Sequence, residues 1–141
     1  GTISSEPDGT LETMVRLNLY SAYYLTRGLL AQMMHDKNGH IFNICSIASI
    51  TPYANGGSYT ISKFAMLGMT KVLREEMKNH GIRVTAVLPG ATKTSSWEGT
   101  DLPDSRFIKA EDVADAVYGA YGLSPNSVVE ELLIRPQEGD I

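Results

Sequence analysis

Tyr59-Thr60-Ile61-Ser62-Lys63 holds the two side chains in this sequence best suited to moving a proton. On a helix, residues four apart sit on one face, one turn from each other. That spacing sets the Lys63 ammonium beside the Tyr59 phenol. A neighbouring cation favours phenolate over phenol, and a phenol so poised can exchange a proton with a substrate oxygen. The pair is not diagnostic by itself, because the chain has seven tyrosines. A tyrosine packed beside a surface lysine on an ordinary helix is the plain alternative. Further chemistry-bearing residues are Asn18, Ser46, and the turn Pro89-Gly90 with Thr92 and Thr94. Each also has a plain explanation: a satisfied polar residue in a helix, a strand terminator, a stop signal. The question is whether the fold brings them to one place.

The elements that would position them alternate. Residues 1–9 read as a loop, and Thr10 or Leu11 opens a helix that runs over 11–34. From Leu19 onward its apolar residues cover most of the circumference, so it needs cover on more than one side, the second from another chain. Asp36-Lys37-Asn38-Gly39 ends it, with Asn38 and Gly39 as stop residues. Residues 41–46 read as a buried strand, and 47–57 as a loop with Pro52 and Gly56-Gly57. Ser58 reads as the N-cap of a helix over 59–79, stopped by Asn79-His80-Gly81. A strand follows over 82–88, ended by Pro89-Gly90. Residues 92–107 read as irregular with Trp97 as an apolar anchor. A helix opens at Lys109-Ala110-Glu111-Asp112 and runs to Tyr121, a strand covers 131–134, and the rest is a tail.

Helix–strand alternation with short connections implies an α/β domain, a partial doubly wound, Rossmann-like sheet of three parallel strands with three helices. In such sheets ligands bind beyond the carboxyl ends of the strands. Ser46 ends the first strand, Pro89 to Thr94 follow the second, and the helix with Tyr59 and Lys63 begins at the same edge. Counting back about 24 Å of helix from Met34, against about 20 Å of returning strand, sets Asn18 at that level too. Asn18, Ser46, Tyr59 with Lys63, and the Pro-Gly turn are therefore expected on one rim, as an active-site constellation.

Composition narrows the classes. The length fits one domain, and 43% hydrophobic with 20% charged residues is ordinary globular usage. The net charge is −4 and no basic patch interleaves with aromatics, so no nucleic-acid partner is expected. Arg27 and Gln32 interrupt the longest apolar segment, so no membrane span is expected. The one cysteine, Cys45, lies in an apolar run and reads as a small buried side chain, which suits a reducing, cytoplasmic setting. His35, His40 and His80 share no metal-ligand spacing, and no metal is expected.

With these residues in view, the chain resembles the catalytic and C-terminal portion of a short-chain dehydrogenase/reductase. The resemblance rests on Asn18 in Val15-Arg16-Leu17-Asn18-Leu19, Ser46 in Asn43-Ile44-Cys45-Ser46, the Tyr59/Lys63 pair, and Pro89-Gly90 with Thr94. It implies hydride transfer between NAD or NADP and a small carbonyl or alcohol substrate. Tyr59 would be the acid/base, and Lys63 would tune it and hold the nicotinamide ribose. Ser46 would hydrogen-bond the substrate oxygen, and Asn18 would hold a relay water. Pro89, Gly90, Thr92 and Thr94 would border the nicotinamide. Thr92 and Cys45 depart from the family's usual aliphatic residue and second serine. No Gly-rich turn suited to a pyrophosphate is present.

The expectation is that residues 1–141 are the C-terminal part of one Rossmann-like oxidoreductase domain without its dinucleotide-binding half. By itself the chain is expected to be inactive and to bind dinucleotide poorly. Its first strand becomes an exposed edge, so a homo-oligomer is expected. Two other classes compete: a non-enzymatic scaffold or sensor on the same half-fold, and a serine hydrolase using Ser46, for which no Gly-x-Ser-x-Gly elbow exists. Trp97, Ile47 and Tyr53 are expected to line an apolar part of the pocket.

Overall fold

The computed structural model describes all residues, Gly1–Ile141. A helical rod comes first: α1 (Thr10–Val15), a π-helical turn (Arg16–Tyr20) and α2 (Ser21–Asp36). Strand β1 (Gly39–Ile44), helix α3 (Gly57–Met77), strand β2 (Ile82–Pro89), helix α4 (Ala110–Tyr121) and strand β3 (Glu131–Ile134) follow. The sheet is parallel throughout, in the order β1-β2-β3. Ile41 pairs with Val84 and Ile44 with Val87, while Pro89 pairs with Ile134. The expected alternation, strand number and parallel sense are therefore present. Counting the rod as one helix, so is the helix number.

The rod and α3 cover one face of the sheet. Met66 and Leu67 of α3 pack with Cys45, Ala86 and Leu88, and Ala22 of the rod joins them. Leu73, Met77, Ile82 and Val84 form a second cluster with Leu30, Met33, Met34 and Ile41. Val84, Val87 and Leu88 are fully buried, each contributing about 1.5–3 kcal/mol of apolar burial. Asn43 and Thr70 are buried polar residues that satisfy each other, Asn43 donating to Thr70 Oγ1 of α3 at 2.9 Å. The other face carries the end of α4, whose Tyr121 and following Leu123 carbonyls accept from Arg83 of β2.

Several local expectations are corrected. The first strand is displaced toward the N-terminus and ends at Ile44, not Ser46. Cys45 N still donates to Val87 O at 2.8 Å, but Ser46 already turns the chain. Lys37, rather than Asn38 or Gly39, takes the left-handed position after the rod, with φ 50°. Ser58 is not the N-cap of α3: the helix starts two residues earlier with Gly56 as cap. The rod buries no residue completely, and Tyr24 and Leu25 stay 64% and 66% exposed. The cover its apolar circumference demands does not come from this chain.

Candidate active site

Lys63 lies half-buried on α3, and its ammonium donates to the carbonyl of Ile44, the last residue of β1, at 3.0 Å. The same ammonium is 5.8 Å from the centre of the Tyr59 ring, within reach of a cation–π attraction. Burial pushes the Lys63 pKa below its usual 10.5, because a desolvated ammonium loses hydration. The Ile44 carbonyl restores part of that loss and aims the lysine at the sheet's carboxyl edge.

Asn18 sits within the π-helical turn of the rod. A π turn carries an extra residue and shifts the helical register. Asn18 Nδ2 donates to Ser62 Oγ at 2.9 Å, and Ser62 Oγ donates to the Tyr59 carbonyl at 2.7 Å. Ser62 itself is fully buried. Asn18, 44 residues away in sequence from Ser62, therefore grips the one turn of α3 that carries both Tyr59 and Lys63. Asn18, Ile44, Lys63 and Met66 also line a common recess of about 290 Å³.

Ser46 is extended (φ −165°, ψ 162°) and caps the short turn Ile47–Ser49. Its hydroxyl oxygen accepts from Ala48 N at 3.1 Å, while Ser46 N donates to Ser49 Oγ at 3.2 Å. The hydroxyl is held by an acceptor role, so its own hydrogen remains available to a substrate oxygen. Tyr59 is half-buried, and the hydrogen bond it receives from a side chain goes to its carbonyl, not its phenol. Tyr53 lies close enough to feel it. Burial raises the Tyr53 pKa above 10, and a negative charge on Tyr59 would raise it further.

The turn after β2 is built by structural demands as well. Gly90 N donates to Ile134 O at 2.8 Å, and a Cβ on Gly90 would come 3.0 Å from Pro136 Cδ. Thr92 Oγ1 donates to Gly90 O at 3.1 Å, and Thr92 bridges to Ile108. Its hydroxyl thus closes the turn rather than standing free. Thr94 is exposed and precedes the turn Ser95–Trp97. Trp97 packs edge-on against Phe107 at 5.1 Å, an anchor within its own loop, and Tyr53 is 54% exposed. By register, Ser46 and Pro89 each lie two residues beyond the Ile44–Val87 pair. Asn18 is joined to Tyr59 through Ser62, Lys63 stands beside the Tyr59 ring, and Ser46 and the Pro-Gly turn lie at the same strand ends.

Sequence reasoning missed Ser62, the Ile44 carbonyl and Glu6. Ser62 stood in view between Tyr59 and Lys63. A backbone carbonyl has no side-chain signature, and Glu6 acts across 52 residues, accepting from Ser58 N.

Residues 1–103 match the short chain dehydrogenase family. The chain belongs to that family. It is 32% identical to sepiapterin reductase of Chlorobaculum tepidum over its full length, covering 58% of that protein. It is 30% identical over 89% of its length to an uncharacterized oxidoreductase of Staphylococcus epidermidis, covering 54% of it. Among solved structures, a metagenomic short-chain oxidoreductase in complex with NADP superposes with TM-score 0.79 at 30% identity, over 97% of this chain and 56% of that one. A serine dehydrogenase complexed with NADP+ shares the fold with TM-score 0.87 at 24% identity, over 99% of this chain and 61% of that one. The chain thus spans a little over half the length of the relatives it matches.

Proposed function

We propose that this chain supplies the acid–base half of an NAD- or NADP-dependent oxidoreductase that interconverts a small carbonyl and its alcohol. The observation that carries the reading is the bridge from Asn18 through Ser62 to Tyr59, with Lys63 fixed on the Ile44 carbonyl beside the phenol. The nicotinamide end of the cofactor fits these residues: a half-buried cation, two hydroxyls and a glycine turn at one sheet edge. Tyr59, Lys63, Pro89, Gly90, Thr92 and Thr94 would hold it. When bound, NAD or NADP supplies or accepts the hydride. No glycine-rich turn for a pyrophosphate lies among these residues, so in this reading residues 1–141 form the C-terminal part of one Rossmann-like domain.

The chain's own contribution follows from charge. A hydride reaching a carbonyl carbon leaves negative charge on the oxygen. Tyr59 gives that oxygen its phenolic proton, and the free hydrogen of Ser46 donates to the same oxygen. The Lys63 ammonium offsets the charge left on the phenol. A water in the recess between Asn18, Ile44 and Lys63 returns the proton, which gives Asn18 a role behind the lysine. In the oxidising direction each transfer reverses. A cytoplasmic location and a homo-oligomer belong to the same reading.

The test is Tyr59→Phe in the catalytically active polypeptide that carries these residues. Turnover is expected to fall by about 10²–10⁴-fold, the usual worth of a positioned acid/base, with thermal stability little changed. Full turnover in Tyr59→Phe would overturn the acid/base role of Tyr59.

A further inference from the structure

Helix α3 starts without a side-chain cap on its own N-cap residue, Gly56. The first N–H groups of a helix have no partner inside it. Here the missing acceptor comes from the loop before α1. Ser58 N donates to both carboxylate oxygens of Glu6, at 3.1 Å each, and Ser58 Oγ donates to Glu6 Oε2 as well. The Glu6 side chain is only 13% exposed. A carboxylate at this end also suits the helix dipole.

Gly57 makes the approach possible. Its φ is +27°, and a Cβ there would overlap Glu6 Oε1 and come 2.5 Å from the Gly1 carbonyl. Gly1 N donates to Asn55 O at 3.0 Å in the loop just before α3. The opening loop is therefore strapped across the start of the helix that carries Tyr59. The Ser58 hydrogen bonds hold the Glu6 pKa below its usual 4.5, so the strap is ionised at neutral pH.

We propose that Glu6 is a positioning residue for Tyr59, its carboxylate fixing the first turn of α3 and with it the direction of the phenol. This rests on the acid–base role given to Tyr59. Tyr59 is the third residue of the helix, in the turn that frays most readily. Asn18 grips that turn through Ser62 from the inner side, and Glu6 grips it through Ser58 at the start. With Glu6 gone, the Ser62 end holds and the Ser58 end loosens, so the phenol swings while the helix persists.

Two measurements decide it. In ¹H–¹⁵N spectra of the 141-residue chain, the Ser58 amide should titrate with a midpoint below 4.5, and Glu6→Gln should abolish that titration. A Ser58 amide indifferent to Glu6 overturns the contact. In the active polypeptide carrying these residues, Glu6→Ala should lower kcat by about 10- to 100-fold, the penalty of a reacting group misplaced by about 1 Å. KM should change less than kcat, because the displaced phenol acts chiefly as charge develops on the substrate oxygen. Glu6→Asp, which keeps the charge with a shorter reach, should recover part of kcat, and it serves if the alanine variant does not fold.

An unchanged kcat in Glu6→Ala, with Tyr59→Phe inactive, overturns the positioning role and leaves the acid–base reading standing. An active Tyr59→Phe overturns both.

Discussion

At the scale of single residues, His40 shows how hydrogen-bond accounting settles a protonation state. Thr85 has one hydroxyl hydrogen and gives it to Val129 O at 2.6 Å. It can then only accept from His40, 2.8 Å away, so His40 carries its proton on Nε2. The ring lies against Phe42 at 3.9 Å and faces Tyr121 at 6.3 Å. Its Nδ1 is buried without a partner. Protonation would place an N–H there with nothing to receive it, beside the Arg83 charge. Burial first, and Arg83 second, push the His40 pKa down from 6.5 to about 4. A histidine kept neutral by folding binds fewer protons folded than unfolded, so stability is full above 6.5 and is lost as pH falls from there toward 4. Because the ring is only half-buried, the loss should be on the order of 1 kcal/mol. Denaturant titrations at pH 7 and pH 5 check this: His40→Gln, which keeps a donor for Thr85, should remove most of the difference. An equal pH dependence in the variant would assign the loss to other groups.

At the scale of elements, what positions the site is the joint between each helix and the next strand. Gly81 makes the joint between α3 and β2. It adopts φ +72°, and a Cβ there would sit 2.5 Å from the Lys37 carbonyl, the matching joint at the end of the rod. The two helix ends thus touch backbone to backbone, which sets the rod and α3 side by side and lets Asn18 reach Ser62. Gly81→Ala should cost at least about 1–2 kcal/mol for the left-handed conformation alone, with the clash added, read as a lower denaturation midpoint at unchanged slope. A change below about 0.5 kcal/mol, the range of inert surface substitutions, would mean that this joint yields. The Gly81 stop was legible because Asn-His-Gly after an amphipathic run is a local signal. The alternation of elements and the rim shared by Tyr59, Lys63, Ser46 and Pro89 were legible for a related reason, since periodicity and strand ends are local. The Lys37 turn, the π turn under Asn18 and the Glu6 strap were not. Each is decided by a neighbour more than forty residues away, and no window of sequence contains both partners. Ser58 misled because it has the right type for a cap, whereas Gly56 is the cap and Ser58 itself donates to a carboxylate from the opening loop.

At the scale of the whole molecule, the unpaired surface is the dominant fact. The rod and α3 enclose a groove of about 720 Å³ lined by Leu19, Tyr20, Tyr23, Tyr24, Met69 and Val72, among others. Tyr24 and Val72 are 64% and 58% exposed. An apolar groove of this size left to water is costly, and it invites a covering surface. We propose a second copy as its cover. Arg27 and Glu76 both border the groove, and in a two-fold arrangement each Arg27 can meet the other copy's Glu76, because such an interface pairs a patch with itself. The apolar face also resolves why the rod is hydrophobic around most of its circumference yet buries nothing completely in this chain. Light scattering at micromolar concentration should therefore give at least twice the mass of one chain. Val72→Glu, which sets two carboxylates against the facing apolar groove, should shift the population toward monomer. The free edge of β1 offers a competing mode of association. A dimer that survives Val72→Glu would point to that edge, and a monomer in the unmodified chain would mean that neither surface is sticky enough to hold a partner.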